Sequence, residues 1–99
     1  MSAYSLSVTA KAESQIATIM NDPAKAGLQK QLKKAFRLLI QNPKHPSLSS
    51  HLLKGAESAY GVKVWTSYVQ NRTPQAHRIL WTFGEKRLEI VILAVIPHY

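Results

Sequence analysis

The chain has 99 residues, enough for one domain with a modest hydrophobic core, and 45% of them are apolar. It contains no cysteine, which excludes disulfides, thiolate metal sites and a cysteine nucleophile. Thirteen Lys and Arg against five Asp and Glu give a net charge of +8, which favours a polyanionic partner. That partner could be nucleic acid, an acidic protein or a membrane surface. Because basic residues occur throughout the chain, nucleic acid is favoured.

The N-terminal half predicts a short strand followed by two helices. Residues 4–8 alternate weakly, as in a strand, and Thr9 can cap a helix that runs to about Met20. After the break at 21–23, a second amphipathic helix is expected as far as Gln41. The side of this helix opposite its apolar stripe carries Lys30, Lys33, Lys34 and Arg37. A solvated helix face explains these charges at least as well as an RNA-binding track does.

The C-terminal half predicts a loop over 47–58 and then three strands over 60–69, 76–83 and 88–96. The last strand is apolar on both faces and is therefore expected in the interior of the sheet. The expected fold is α+β with the order β-α-α-β-β-β, forming a single domain over 1–99. Both helices would pack on one face of a small, mainly antiparallel sheet. Alternation groups Lys63, Trp65 and Arg78 on the other face.

Several classes of chemistry are disfavoured by residue spacing. The four glycines lie far apart, so there is no glycine-rich phosphate loop, and the five acidic residues form no close cluster. The histidines show no helical metal-binding spacing, so neither a metal nor another cofactor is expected. Metal-free RNA cleavage stays open, because RNA supplies its own 2′-hydroxyl nucleophile. An enzyme then needs only a cation for the phosphate and groups that move protons.

Four stretches together carry a resemblance to a known family: LLKG at 52–55, YGVKVW at 60–65, HRILW at 77–81 and VILAVIPHY at 91–99. With their order in the chain, they make it similar to the RelE/ParE toxins of bacterial toxin–antitoxin systems over nearly its whole length. The terminal His-Tyr resembles the YoeB branch. The resemblance implies a RelE-like fold and an acidic antitoxin as partner. It also implies a toxin that acts on the ribosome and cleaves messenger RNA. Because the sequence shows no secretory signal pattern and no apolar stretch of membrane-spanning length, a cytoplasmic location with no membrane partner is expected.

The resemblance also implies roles for individual residues. Arg78 matches the phosphate-contacting arginine of the family. His98 and Tyr99 match the terminal pair, as general acid and as a residue that positions RNA. Lys63 matches one of two strand lysines, and the other falls at Gly61. The catalytic glutamate of the YoeB branch has no counterpart, so the general base is not identified.

Further candidates for RNA binding are Trp65, through stacking on a base, and the basic residues Lys54 and Arg72. Two other functions stay open. ParE-like members of the family inhibit DNA gyrase and are not nucleases. A basic nucleic-acid-binding module, or a member whose catalysis is weakened, would have the same charge without the cleavage.

Overall fold

The structure is a computed structural model that describes residues 3–70 and 76–97. Five strands and three helices follow in chain order: β1 (Ser5–Val8), α1 (Ala10–Met20), α2 (Ala26–Gln41), β2 (His51–Leu52), α3 (Glu57–Tyr60), β3 (Trp65–Tyr68), β4 (His77–Phe83) and β5 (Glu89–Pro97). The strands form one sheet in the order β1-β5-β4-β3-β2. β1 runs parallel to β5, and every other neighbouring pair is antiparallel.

Both long helices lie against one face of this sheet and form the main core with it. The buried apolar members of that core are Ala12, Ile19, Leu28, Leu32, Ala35, Leu39, Leu48, Ile79, Trp81, Ile90, Ile92 and Val95. Their spacing on α1 and α2 follows the helical period, and their spacing on the strands follows the strand period. The predicted α+β fold, with two helices on a mainly antiparallel sheet, is confirmed, as is the interior position of the last strand. Among the described helices, none combines the length and apolarity needed to cross a membrane.

A β-bulge in β5 adjusts which side chains face the helices. Leu80 pairs with Ala94 whereas Trp81 pairs with Ile92, so Leu93 is an extra residue in β5. An extra residue shifts the alternation of one strand relative to its neighbour. Val95 can therefore join the main core on the same side as Ile92, while Ala94 faces the opposite side.

Side chains of α1 and of its N-cap residue form hydrogen bonds with backbone groups of β5. These backbone groups lie past the end of the neighbouring strand β1. The Thr9 hydroxyl donates to the Leu93 carbonyl at 3.2 Å and also accepts the Ala12 N–H at the helix N-terminus. The Gln15 side-chain oxygen accepts the Val95 N–H at 2.8 Å. β1 is too short to pair with this part of β5, so α1 takes the place of a neighbouring strand.

A buried chain of hydrogen bonds connects β4 and β3 to the segment between α2 and β2. The Trp81 indole N–H donates to the Ser67 hydroxyl at 2.7 Å, and the Ser67 and Ser50 hydroxyls lie 2.6 Å apart. Ser50 donates its own proton to the Pro43 carbonyl at 2.6 Å. A carbonyl can only accept, so the directions are fixed from Trp81 through Ser67 and Ser50 to Pro43.

The segment that the sequence predicts as a loop contains two short elements. Residues 51–52 form strand β2, and residues 57–60 form helix α3, which ends at Gly61 with a φ of 73°. The predicted strand over 60–69 is accordingly shortened to Trp65–Tyr68. Tyr60 has the period of a strand residue, but its N–H bonds the Ala56 carbonyl and closes a helical turn instead.

Replacing Ser67 by Ala should lower the free energy of unfolding by about 1–3 kcal/mol, because the Trp81 N–H would stay buried without an acceptor. For a domain of this size, each kcal/mol corresponds to roughly 4–8 °C in Tm. Thermal unfolding followed by circular dichroism measures the change.

Ser58→Ala is the matched control, since the Ser58 hydroxyl donates to the Gly55 carbonyl in an exposed turn. Its effect should stay within about 0.5 kcal/mol. Equal losses of stability in the two variants would contradict the importance given to the buried chain.

Candidate functional site

The sheet face turned away from α1 and α2, here called the outer face, carries the candidate site. By strand alternation and register, its residues in the described strands are Ser5, Ser7, His51, Thr66, Tyr68, Arg78, Leu80, Thr82, Glu89, Val91, Ala94 and Ile96. The carboxylate among them, Glu89, accepts the Ser7 hydroxyl at 2.8 Å and begins β5, whereas Arg78 lies opposite Ile96 near the end of β5. In a chain of net charge +8, Arg78 therefore has no strand acid beside it on this face.

One end of the outer face is a small apolar cluster. Val64, Leu80 and Ala94 are buried there, and partly buried side chains of the segment before β3, including Leu53 and Tyr60, pack against them. α3 and the turn preceding it thus cover this end of the sheet. Tyr68 and Arg78, with His51 and Thr66 next to them, lie at the end of the outer face away from Thr82, here called the polar end.

Arg78 is the central cation of the polar end. It lies on β4 directly opposite Tyr68 of β3 on one side and Ile96 of β5 on the other. Its guanidinium carbon is 5.9 Å from the centroid of the Tyr68 ring. A guanidinium over an aromatic face is held by a cation–π contact, and it keeps N–H groups available for a phosphate.

Two polar atoms at this end are buried without a hydrogen-bond partner among the described residues: Arg78 Nε and Thr66 Oγ1. Thr66 as a whole is only 1% exposed. Leaving a buried polar group unsatisfied costs about 1–3 kcal/mol, so such groups are few in folded proteins and each calls for an explanation.

His51 also belongs to the polar end, although the sequence places it in a predicted loop. It lies opposite Thr66 through β2, and its ring centroid is 6.1 Å from that of Tyr68. Its Nδ1 is 2.9 Å from the Ser49 carbonyl oxygen. The sequence carries no strong signal for this residue, because β2 is only two residues long and is defined by its partner strand.

Trp65 lies on the other side of the sheet from Arg78, so the predicted grouping of these two residues is wrong. Its indole stacks on Trp81 with ring centroids 5.6 Å apart, and the Lys44 ammonium is 4.7 Å from its ring centroid. The register pairs Trp65 with Trp81, and directly opposed residues share a face. Trp81 is fully buried.

Lys63 and Lys54 are both exposed and lie beside the apolar end of the outer face. They line one shallow cleft together with Leu53. The Thr82 hydroxyl donates to the Lys63 carbonyl, which puts Lys63 four residues from Arg78 along β4, or roughly 13 Å. The structure thus separates Lys63 from Arg78 by most of the length of the sheet.

The predicted site residues Arg72, His98 and Tyr99 lie outside the described residues. β5 is described to its last residue, Pro97, which pairs with His77. Within 3–70 and 76–97, His, Asp and Glu side chains form no group of three or more that could hold a metal ion.

Comparison with known proteins finds neither a matching family model nor a matching curated protein. Among solved structures, the chain is similar to a YoeB/ParE toxin from Agrobacterium tumefaciens, with a TM-score of 0.71 and 15% sequence identity. The match covers 100% of both chains. Over its whole length, this chain therefore has the fold of a YoeB/ParE toxin, which is the fold that the resemblance to the RelE/ParE toxins implies.

Proposed function

We propose that this protein is the toxin of a type II toxin–antitoxin system and that it cleaves messenger RNA on the ribosome without a metal ion. The observation that carries the proposal is Arg78, held against Tyr68 at an end of the outer face where no strand carboxylate lies beside it. The fold shared with a YoeB/ParE toxin supports the toxin assignment. The sequence resemblance supports the choice of the ribonuclease branch.

In this proposal, Arg78 neutralises the charge that builds up on the phosphate as the 2′-oxygen attacks. A guanidinium presents N–H donors in a planar fork that matches phosphate oxygens, and it stays charged throughout. His98 would donate a proton to the leaving 5′-oxygen, and Tyr99 would position the RNA. Lys63 and Lys54, at the other end of the outer face, would contact the RNA backbone farther along, as would Arg72. The site needs no cofactor.

An acidic antitoxin is the proposed regulator of this activity. The positive, partly aromatic outer face that would receive RNA would also attract a carboxylate-rich peptide. Binding of such a peptide over Arg78 or over the chain end would block the RNA. The neighbouring gene should accordingly encode a small acidic protein.

Arg78→Ala should reduce message cleavage on purified ribosomes by about a hundredfold or more and should abolish growth arrest on expression, because it removes phosphate stabilisation. The measurement is single-turnover cleavage of a ribosome-bound message. Arg78→Lys keeps the charge but loses the fork, so it should recover only part of the rate.

Arg87→Ala is the matched control, since Arg87 is an exposed arginine in the turn between β4 and β5. It should cleave like the wild type. Growth arrest accompanied by an SOS response and intact messages would instead identify a ParE-like gyrase inhibitor. Ribosome or RNA binding with no cleavage by the wild type would identify a non-catalytic module.

Binding to ribosomes should weaken steeply as salt rises, because basic side chains that contact phosphates release counterions. We expect a loss of affinity of about tenfold or more between 50 and 200 mM salt. Arg78→Ala should lower the magnitude of the slope of log K against log salt by about 1, as expected for the loss of one phosphate contact. The control Lys11→Ala, on the exposed side of α1, should leave the slope unchanged. Affinity that does not vary with salt would contradict a polyanionic partner.

A further inference from the structure

The proposed cleavage needs a group that removes the proton of the 2′-hydroxyl, and the resemblance supplies no residue for that role. The structure brings a histidine, His51, to the same end of the outer face as Arg78. The two residues lie on β2 and β4, with Tyr68 of β3 between them. His51 is exposed, so a substrate can reach it.

The contact between His51 and Ser49 fixes which ring nitrogen can accept a proton. The Ser49 carbonyl can only accept a hydrogen bond, so His51 Nδ1 must carry the hydrogen. In the neutral imidazole, Nε2 is then left with the free lone pair. Ser49 has a left-handed backbone with a φ of 47°, which is uncommon for a residue other than glycine. The same turn thus supplies the carbonyl that sets the tautomer of a base.

His45, in the same segment, has the opposite tautomer. Its Nδ1 accepts the Ser47 backbone N–H at 3.1 Å, so Nε2 carries the hydrogen in the neutral ring. His45 therefore caps a turn with its only lone pair. The segment contains two histidines, of which the structure leaves one available as a base.

The spacing across the sheet fits a nucleotide. Two strand separations, roughly 10 Å, lie between β2 and β4, and His51 is in register with Leu80, two residues from Arg78 along β4, so the two backbones are ~12 Å apart at these residues. A nucleotide that bridges the two residues contributes three distances of about 3 Å each. They are the guanidinium–phosphate contact, the phosphate with its adjoining ribose oxygen, and the contact between the ribose hydroxyl and the imidazole. Tyr68, whose ring lies about 6 Å from both His51 and Arg78, forms the floor between them.

The buried, unpartnered atoms point to the same place. Thr66 Oγ1 lies across the strand pair from His51, and Arg78 Nε lies across from Tyr68. Both have unused hydrogen-bonding capacity within the described part of the chain, and both are shielded from solvent beneath the surface where His51 and Arg78 would hold a ligand.

We infer that His51 is the general base of the cleavage, an inference that rests on the proposed function. Nε2 takes the proton of the 2′-hydroxyl, O2′ forms a bond to phosphorus, and the P–O5′ bond breaks. The leaving 5′-oxygen takes a proton from the acid, the role proposed for His98. The products are a 2′,3′-cyclic phosphate and a 5′-hydroxyl, with no metal ion, redox partner or water consumed.

The test compares two messages on purified ribosomes, one natural and one with sulfur in place of the bridging 5′-oxygen at the cleavage position. Sulfur leaves without a proton, so it removes the need for an acid but not for a base. His51→Asn should slow cleavage of both messages by about a hundredfold in single-turnover experiments. His98→Ala should slow cleavage of the natural message only. The matched control, His45→Asn, keeps a side-chain acceptor for its turn and should cleave both messages at the wild-type rate.

Each outcome bears on a separate statement. Wild-type rates for His51→Asn, with cleavage by the wild type present, would overturn the inference and leave the proposed function standing. A defect of His51→Asn that disappears with the sulfur message would make His51 an acid and would also overturn it. Absence of cleavage by the wild type would overturn both. If His51→Asn has the same ribosome affinity and Tm as His45→Asn, the slower cleavage by His51→Asn lies in the chemical step.

Discussion

The hydrogen bonds from Trp81 through Ser67 and Ser50 to Pro43 are the constraint on which the candidate site depends. They tie the segment after α2 to the middle of the sheet, from the buried Trp81 indole to the partly buried Ser50 hydroxyl. Ser50 immediately precedes β2, so its position sets where His51 enters the sheet. One continuous set of hydrogen bonds therefore links the core to the polar end of the outer face. Each hydroxyl in this set has a fixed donor role.

The large elements of the fold could be predicted from local sequence because each has enough residues to show a period. α2 repeats its apolar residues over 16 positions, and β5 is apolar over nine. β2 and α3 could not be predicted in this way, since they have two and four residues. Such short elements exist only through tertiary partners, as when β2 pairs with β3 across the loop that contains α3.

Within the candidate site, the sequence indicated which face each residue would occupy along its own strand but not how the strands align. Arg78 alternates with Ile79 and Trp81, so its place opposite the core could be predicted. Trp65 was assigned to the wrong side because its face relative to Arg78 depends on the register between β3 and β4. His51 required knowledge of β2 itself. Residues that act together here lie on three strands, and only the register brings them together.

The absence of a strand carboxylate beside Arg78 bears on the choice of base. A glutamate beside Arg78 would pair with the guanidinium, and the pair would compete with a phosphate for the same N–H groups. A neutral imidazole accepts a proton without first cancelling the positive charge that attracts the RNA. In the proposed mechanism, replacing an acidic base by His51 thus lets Arg78 keep its full charge for the phosphate. The carbonyl of Ser49, rather than a carboxylate, then orients the ring, so no acid enters the site even behind the histidine.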